Sequence, residues 1–178
     1  MNLNNLQTLE DFRFWAKKKL PKMVFGYIDG GAGDGLAIKR NSLSFKKLLL
    51  QPKTLLNVKN RKLSKKINNQ EFNYPFGIAP MGLCNISNPK ADVMLAQSAK
   101  TQNIPFCIST AASTSVEEIY KIASKNAWFQ LYMGSSIEST LKLVKRVEKA
   151  GVKNLIISVD VPAPGFRPRE LRDGFTAP

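Results

Sequence analysis

PFCISTAASTSVEEIYKIASKNAWFQLY, residues 105–132, reads as a strand, a helix and a second strand in close succession. Pro105 to Ile108 and Trp128 to Leu131 are short apolar runs rich in β-formers, and Val116 to Ala123 between them is spaced as a helix. Working outward, similar apolar runs lie at Phe76 to Ala79 and Leu155 to Val159. Helical segments fall near Ala91 to Thr101 and from Ile137 to Ala150. Strand starts at 76, 105, 128 and 155 are separated by 29, 23 and 27 residues, close to the repeat of overlapping βαβ units. The fold class is therefore α/β, with about four parallel βα steps. The helix from Ile137 sets Leu141, Val144 and Val147 against Lys142, Lys145, Arg146 and Lys149, and Gly151 stands in the usual C-capping place.

N-terminal to this repeat the pattern changes. Thr8, with Asp11 three residues on, is an N-cap for an amphipathic helix carrying Leu9, Phe12, Trp15, Ala16 and Leu20. Pro21 suits the first turn of a second helix, and DGGAGDG, residues 29–35, stops it. That run lacks the spacing of a dinucleotide fingerprint or a P-loop and follows a helix instead of a strand, so it reads as a turn. Lys39 to Glu71 reads as irregular or hairpin-like. The expected division is 1–73, N-terminal helices and a basic elaboration, and 74–178, the βα repeat.

The 178 residues, 43% hydrophobic and 22% charged, suffice for one globular domain with a sizeable core. No apolar stretch approaches the roughly 20 residues that cross a bilayer, and the N-terminus is polar. Cys84 and Cys107 are the only cysteines and lack CxxC spacing, so a disulfide framework is not expected. A soluble, cytoplasmic protein is the expectation. There is no histidine, which excludes a Ser/His/Asp triad, a Cys/His pair, a His-ligated zinc and a histidine base from within these residues. No metal set is expected. A base must come from a cofactor, a second polypeptide or another residue type.

The net charge of +14 is uneven. From Lys39 to Lys66 there are ten basic residues and no acid. Such a stretch can meet nucleic acid, anionic headgroups or a small anion, or simply be solvated. Only Phe45 is aromatic there, and 20 of the 27 basic residues of the chain are lysines, which lack the planar fork of arginine. Nucleic acid is not expected; peripheral contact at the inner face of a membrane is compatible.

At the carboxyl end of each apolar run stand groups able to position a ligand: Ala79-Pro80-Met81-Gly82, Ser109-Thr110-Ala111-Ala112, Gln130 with Tyr132, and Ser158 with Asp160. Parallel α/β folds build their sites at that edge. Gln130 and Tyr132 are two apart, as are Ser158 and Asp160, so each pair projects to one face of its strand.

The strings YIDGGAGD (from Tyr27), PFGIAPMG (from Pro75), PFCISTAASTSVEEI (from Pro105), WFQLY (from Trp128) and SVDVPAPGFRPRELRDGF (from Ser158) resemble the FMN-dependent 2-hydroxy acid dehydrogenases and oxidases. These include lactate dehydrogenase, glycolate oxidase and mandelate dehydrogenase. Five strings in the family's order, from about Leu9 onward, make the resemblance specific. It implies a TIM-type parallel (β/α) barrel with FMN at its C-terminal mouth, contacted by the backbone of Ala79, Pro80 and Met81 and by Ser109, Gln130 and Ser158. It further implies that Tyr27 and Tyr132 hydrogen-bond a substrate, that Arg167 helps hold its carboxylate, and that Asp160 orients the base; Tyr132 and Asp160 are the catalytic pair. Ser158 stands where threonine is common and keeps the hydroxyl. Ala111 replaces an aromatic carried by some oxidases, which favours a dehydrogenase.

The family's barrel has eight strands and this sequence holds about four. The resemblance assigns to the remaining half a lysine beside the flavin, the histidine base, a carboxylate-binding arginine and the phosphate site. Three readings follow. The first is the N-terminal portion of an enzyme oxidising a small, lactate-like L-2-hydroxy acid to the 2-oxo acid, inactive alone: either a truncated gene product or one half of a split enzyme completed by a separate C-terminal half. The second is a catalytically dead half-barrel that self-associates or binds a partner. The third is a basic membrane-surface or nucleic-acid binder.

Overall fold

The computed structural model describes residues 5–160, 163 and 165–176. The described residues of Met1–Leu56 and Ala163–Pro178 form one compact unit, and those of Asn57–Pro162 form another.

The first unit is helical. Helix α1 (Leu9–Lys19) begins at a capping box in which Thr8 and Asp11 bond each other's backbone amides, as their spacing predicts. Helix α2 (Lys22–Asp29) follows Pro21 as N-cap and ends at Gly30. The glycine run then turns the chain, with Gly33 and Gly35 at positive φ, and Gly33 donates to the Phe166 carbonyl at 2.8 Å. Helix α3 (Leu36–Lys46) corrects the expectation of irregular chain over this stretch. It buries no residue, so it carries little of the apolar periodicity by which a helix is recognised. Helix α7 (Pro168–Asp173), numbered in chain order, closes the unit.

Asp29 links three helices of this unit. It accepts from Arg13 at 2.6 and 3.2 Å and from Arg169 at 3.0 Å. The bond from Arg13, outweighing partial burial, and then that from Arg169 hold its carboxyl below the usual aspartate range.

The second unit carries the parallel sheet. Strands β3 (Phe106–Ser109), β4 (Ala127–Leu131) and β5 (Leu155–Ile157) lie in the order β3-β4-β5, all parallel. The fourth run, Phe76 to Ala79, does not form a full strand. Ile78 alone bridges to Phe106, donating to the Pro105 carbonyl at 2.8 Å and accepting from Cys107 at 3.0 Å. Pro75, Pro80 and Pro105 each lack an N–H, which stops the ladder from spreading. Helices α4 (Ala91–Gln102), α5 (Val116–Ala123) and α6 (Ile137–Ala150) match the sequence reading closely. Gly151 caps α6 at φ 106°.

The core forms where Phe106, Ile108, Phe129 and Leu131 meet Ala96, Ala99, Ile119, Ala123 and Val147 from the helices. Alternation sends Ser109 and Gln130 to the other face of the sheet. A hairpin of β1 (Lys65–Ile67) and β2 (Gln70–Phe72) precedes the sheet. Its fully buried Phe72 packs edge-on to Trp128, with ring centroids 6.2 Å apart.

Because the Asp29 carboxyl is lowered, its stabilisation is present above the unfolded aspartate value near ~3.9 and is lost as pH falls through the lower folded value. Asp29→Asn is expected to cost about 1 kcal/mol, since Arg13 is half exposed. Helical circular dichroism followed through acid titration of both proteins checks this: the substituted protein should lack the Asp29 share of the acid transition.

Candidate flavin-binding mouth

The sheet register dictates the site. Ser109 pairs with Gln130 across β3 and β4, and Gln130 pairs with Ile156 across β4 and β5. Ser158 continues one step beyond, donating its amide to the Leu131 carbonyl at 3.0 Å. Three polar side chains from adjacent strand ends thus share one face. Ser109 Oγ donates to Gln130 Oε1 at 3.3 Å, and Gln130 Nε2 donates to Ser158 Oγ at 2.9 Å. Gln130 is only 1% exposed. Burying a primary amide is costly unless it is bonded, and this one is held from both sides.

Ala79, Pro80 and Met81 stand exposed at the same end of the sheet, following the Ile78 bridge. The next loop is tied down by Leu83, whose amide donates to the Ala111 carbonyl at 3.0 Å. Gly82 permits that approach, since a Cβ there would lie 3.1 Å from the Ala111 Cβ. Tyr132 follows β4 and is 46% exposed; Asp160 follows β5 and is also exposed. No hydrogen bond joins Tyr132 and Asp160 among the described residues.

Two further residues hold the mouth: Asp92, which carries no role in the sequence reading, and Thr110, which the sequence places at a strand end without assigning it a contact. Asp92 is 2% exposed, and its Oδ2 accepts from the backbone amides of Ser113 and Thr114 at 2.9 and 3.0 Å. Its own amide donates to Asn85 Oδ1 at 3.3 Å, while Asn85 bonds Ser113 and Thr114 as well. Asp92, Ala96 and Ala99 form the buried stripe of α4, so the signal was a charged residue at an apolar position. Thr110 donates its hydroxyl to the Gln130 carbonyl at 2.7 Å and accepts from the Tyr132 amide at 3.0 Å.

Both cysteines lie near this region. Cys84 donates to the Met81 carbonyl at 3.6 Å, and burial, helped by the Asp92 charge, pushes its thiol up to about 11. Burial alone pushes the Cys107 thiol up to about 11.

In the helical unit, Arg167 lies over the Tyr27 ring at 5.1 Å, and Phe175 stacks on the same ring at 4.4 Å between centroids. Its guanidinium also pairs with Glu170 at 2.7 Å and donates to the carbonyls of Tyr27 and Gly30 at 3.1 and 3.4 Å.

An amide and two hydroxyls thus stand at the carboxyl ends of parallel strands, beside an exposed backbone segment, where parallel α/β folds place their ligand sites. The family model described as FMN-dependent dehydrogenase matches residues 16–178, and the chain belongs to that family. FMN is the family's cofactor. The chain is 32% identical over 173 residues to an L-lactate dehydrogenase of Pseudomonas syringae, covering 97% of this chain and 46% of the relative. It is 35% identical over 174 residues to the (S)-mandelate dehydrogenase of Pseudomonas putida, covering 98% and 44%. The structure of a soluble mutant of the membrane-associated (S)-mandelate dehydrogenase from Pseudomonas putida superposes with a TM-score of 0.92 at 36% identity, over 98% of this chain and 50% of that one. The chain therefore spans about half the length of the curated relatives it matches.

The donor set suits a flavin. An isoalloxazine edge carries both carbonyl acceptors and an imide N–H, and a primary amide flanked by hydroxyls can serve both. Gln130 Nε2 retains one N–H beyond its bond to Ser158.

The raised thiols give a direct check on the folded mouth. At pH 8, iodoacetamide should modify Cys84 and Cys107 in the native chain about a hundredfold more slowly than in the denatured chain, where thiols titrate near ~8.5. Equal rates measured by mass spectrometry would show that these residues are not buried in the folded protein.

Proposed function

We propose that this chain is the N-terminal portion of an FMN-dependent dehydrogenase that oxidises a small, lactate-like L-2-hydroxy acid to the 2-oxo acid. The observation that carries the reading is the hydrogen-bonded row Ser109, Gln130 and Ser158 across three adjacent parallel strand ends. In this reading residues 74–178 hold the first half of a TIM-type barrel. The side chains of that row and the backbone of Ala79, Pro80 and Met81 hold FMN. When bound, FMN supplies the two-electron acceptor for the alcohol carbon.

The chain's own residues orient and hold. Tyr132 offers its phenol to the substrate from the end of β4. Asp160, a carboxylate at the same edge, orients a cationic base and stabilises its protonated form. Tyr27 and Arg167, stacked together in the helical unit, take the substrate carboxylate. The pairing of Arg167 with Glu170 keeps its side chain in one place before substrate arrives. No histidine is available among the 178 residues, and in this reading a second polypeptide segment supplies the base. Lack of a general base alone costs about 10² to 10⁴ in rate, and this chain by itself is expected to be nearly inactive. A cytoplasmic location with peripheral membrane contact fits the absence of any membrane-crossing helix among the described residues and the membrane association stated for the mandelate dehydrogenase.

Mixing the chain with a separately produced C-terminal half of the Pseudomonas putida mandelate dehydrogenase tests this. The expected result is a yellow complex with bound FMN that reduces a dye acceptor with lactate or mandelate. A folded mixture that stays colourless would overturn it.

A partner-binding half-barrel is the alternative reading, and one observation favours it. Leu155, Ile156 and Ile157 of β5 are 42%, 38% and 53% exposed, while their register partners on β4 are at most 3% exposed. An exposed apolar edge strand invites pairing. On this reading the chain sediments as a colourless homodimer, and Ile156→Lys returns it to monomer; a monomer at all concentrations would remove it.

A further inference from the structure

The geometry points to Thr110 as a positioning residue for the mouth: it fixes both the direction in which the Gln130 amide faces and the backbone position of Tyr132. The β3–β4 ladder ends at the Ser109–Gln130 pair. One residue further, regular pairing stops, and the Gln130 carbonyl and the Tyr132 amide would be left to water or to a ligand. Thr110 takes both. Its hydroxyl proton goes to the Gln130 carbonyl at 2.7 Å, and its oxygen receives the Tyr132 N–H at 3.0 Å. One hydroxyl used at once as donor and acceptor has no remaining rotational freedom, so the strand end is pinned in one geometry.

The same residue acts on the Gln130 side chain. The Thr110 amide donates to Gln130 Oε1 at 3.3 Å, on the same oxygen that receives Ser109 Oγ. Two donors converging on one side of the amide require its oxygen there. The NH2 group must then face the other way, where it meets Ser158 Oγ at 2.9 Å. A flipped amide would set Nε2 against the Thr110 N–H, which can only donate, whereas the Ser109 and Ser158 hydroxyls could exchange donor and acceptor roles; the Thr110 amide is therefore the bond that decides which way Gln130 faces. The buried glutamine therefore presents a fixed donor to the mouth, and Thr110 is the residue that joins this polarity to the placement of Tyr132.

The significance of the clamp for flavin rests on the function proposed above, but the clamp itself can be read without it. Amide hydrogen exchange by NMR on the full chain is the test, comparing it with Thr110→Val, which keeps shape and the backbone N–H, and Thr110→Ser, which keeps the hydroxyl. In the valine variant, the Tyr132 amide is expected to exchange about tenfold faster, the effect of losing one hydrogen bond. The Gln130 side-chain amide protons should shift with it as the strand end relaxes, while the retained Thr110 N–H keeps the amide facing the same way. The serine variant should restore both, which a role in packing the methyl group would not. Wild-type exchange at Tyr132 in the valine variant, or failure of serine to restore it, overturns the assignment. Should the valine variant not fold, the unmodified chain still decides: a Tyr132 amide that exchanges at the rate of an unprotected amide excludes its bond to the Thr110 hydroxyl.

Flavin titration separates this from the functional reading. In the complex with a C-terminal half, Thr110→Val should bind FMN about tenfold more weakly and shift its visible band, with serine restoring both. Identical flavin affinity and spectrum in the valine variant would count against the clamp. A wild-type complex that binds no flavin, with exchange behaving as expected, would defeat the proposed function and leave the clamp supported.

Discussion

The parallel register that sets Ser109 beside Gln130 is the constraint on which the site depends. In a pleated sheet a shift of one residue turns every side chain to the opposite face. Slipped by one, β4 would send Gln130 into the packing of Ile108, Ile119 and Ala123, and Phe129 and Leu131 to the mouth. The register is held from both sides. On one face Phe106, Ile108, Phe129 and Leu131 are at most 4% exposed against the helices. On the other face Gln130 finds hydroxyl partners on each neighbouring strand. Apolar burial and polar satisfaction select the same alignment, which is the agreement between levels that makes a sequence specify one structure.

Rigidity at the mouth comes from polar groups placed where the regular ladders end. Beyond β3, the loop residues Ser113 and Thr114 donate to the buried Asp92 carboxylate. A buried carboxylate needs such donors, and loop amides outside a sheet need an acceptor, so each removes the other's desolvation cost. Asn85 extends this link to the loop after Met81. Function-bearing loops are usually the mobile parts of an α/β protein. Here internal hydrogen bonds restrain them, which suits a site that must present several groups to one planar ligand.

Much of the sheet unit was legible because its signals were local and repeated. Helices α5 and α6 begin at serine caps, Ser115 and Ser136, and α6 ends at a left-handed glycine, so chemistry marks their ends. Strands β3 and β4 are short and nearly wholly buried, and their apolar runs say so. The reading failed where signals were weak or cancelled. Helix α3 exposes Leu36, Ile38 and Leu43 at 41% or more, leaving no buried stripe to recognise. Phe76 to Ala79 has strand-like composition, yet prolines reduce it to a single bridge. At the mouth, Gln130 and Ser158 stood out as polar residues in or beside apolar runs. Thr110 was legible only as one member of a polar strand end, since its clamping role arises only when β4 lies alongside.

The exposure of β5 shows how far the described sheet stabilises itself. Leu155 pairs with Phe129, and Ile157 with Leu131, so each pair projects to the same face of the sheet. Yet Phe129 and Leu131 are 3% and 2% exposed, whereas Leu155 and Ile157 are 42% and 53% exposed. The difference cannot come from the residues or their strand, which are alike in chemistry and register. It comes from what lies beyond: among the described residues β4 has a strand on either side and β5 has one. Burying an aliphatic side chain of this size yields about 1.5 to 3 kcal/mol, a large share of a domain's typical net stability of about 5 to 15 kcal/mol. Any polypeptide that covers β5 must therefore do two things: pair with its free edge, and set apolar side chains over Leu155 and Ile157. A strand followed by an amphipathic helix does both at once. That is the same βα step from which the rest of this sheet is made, so both the completed enzyme and the self-associating half-barrel call for the same kind of cover. They differ only in which chain supplies it.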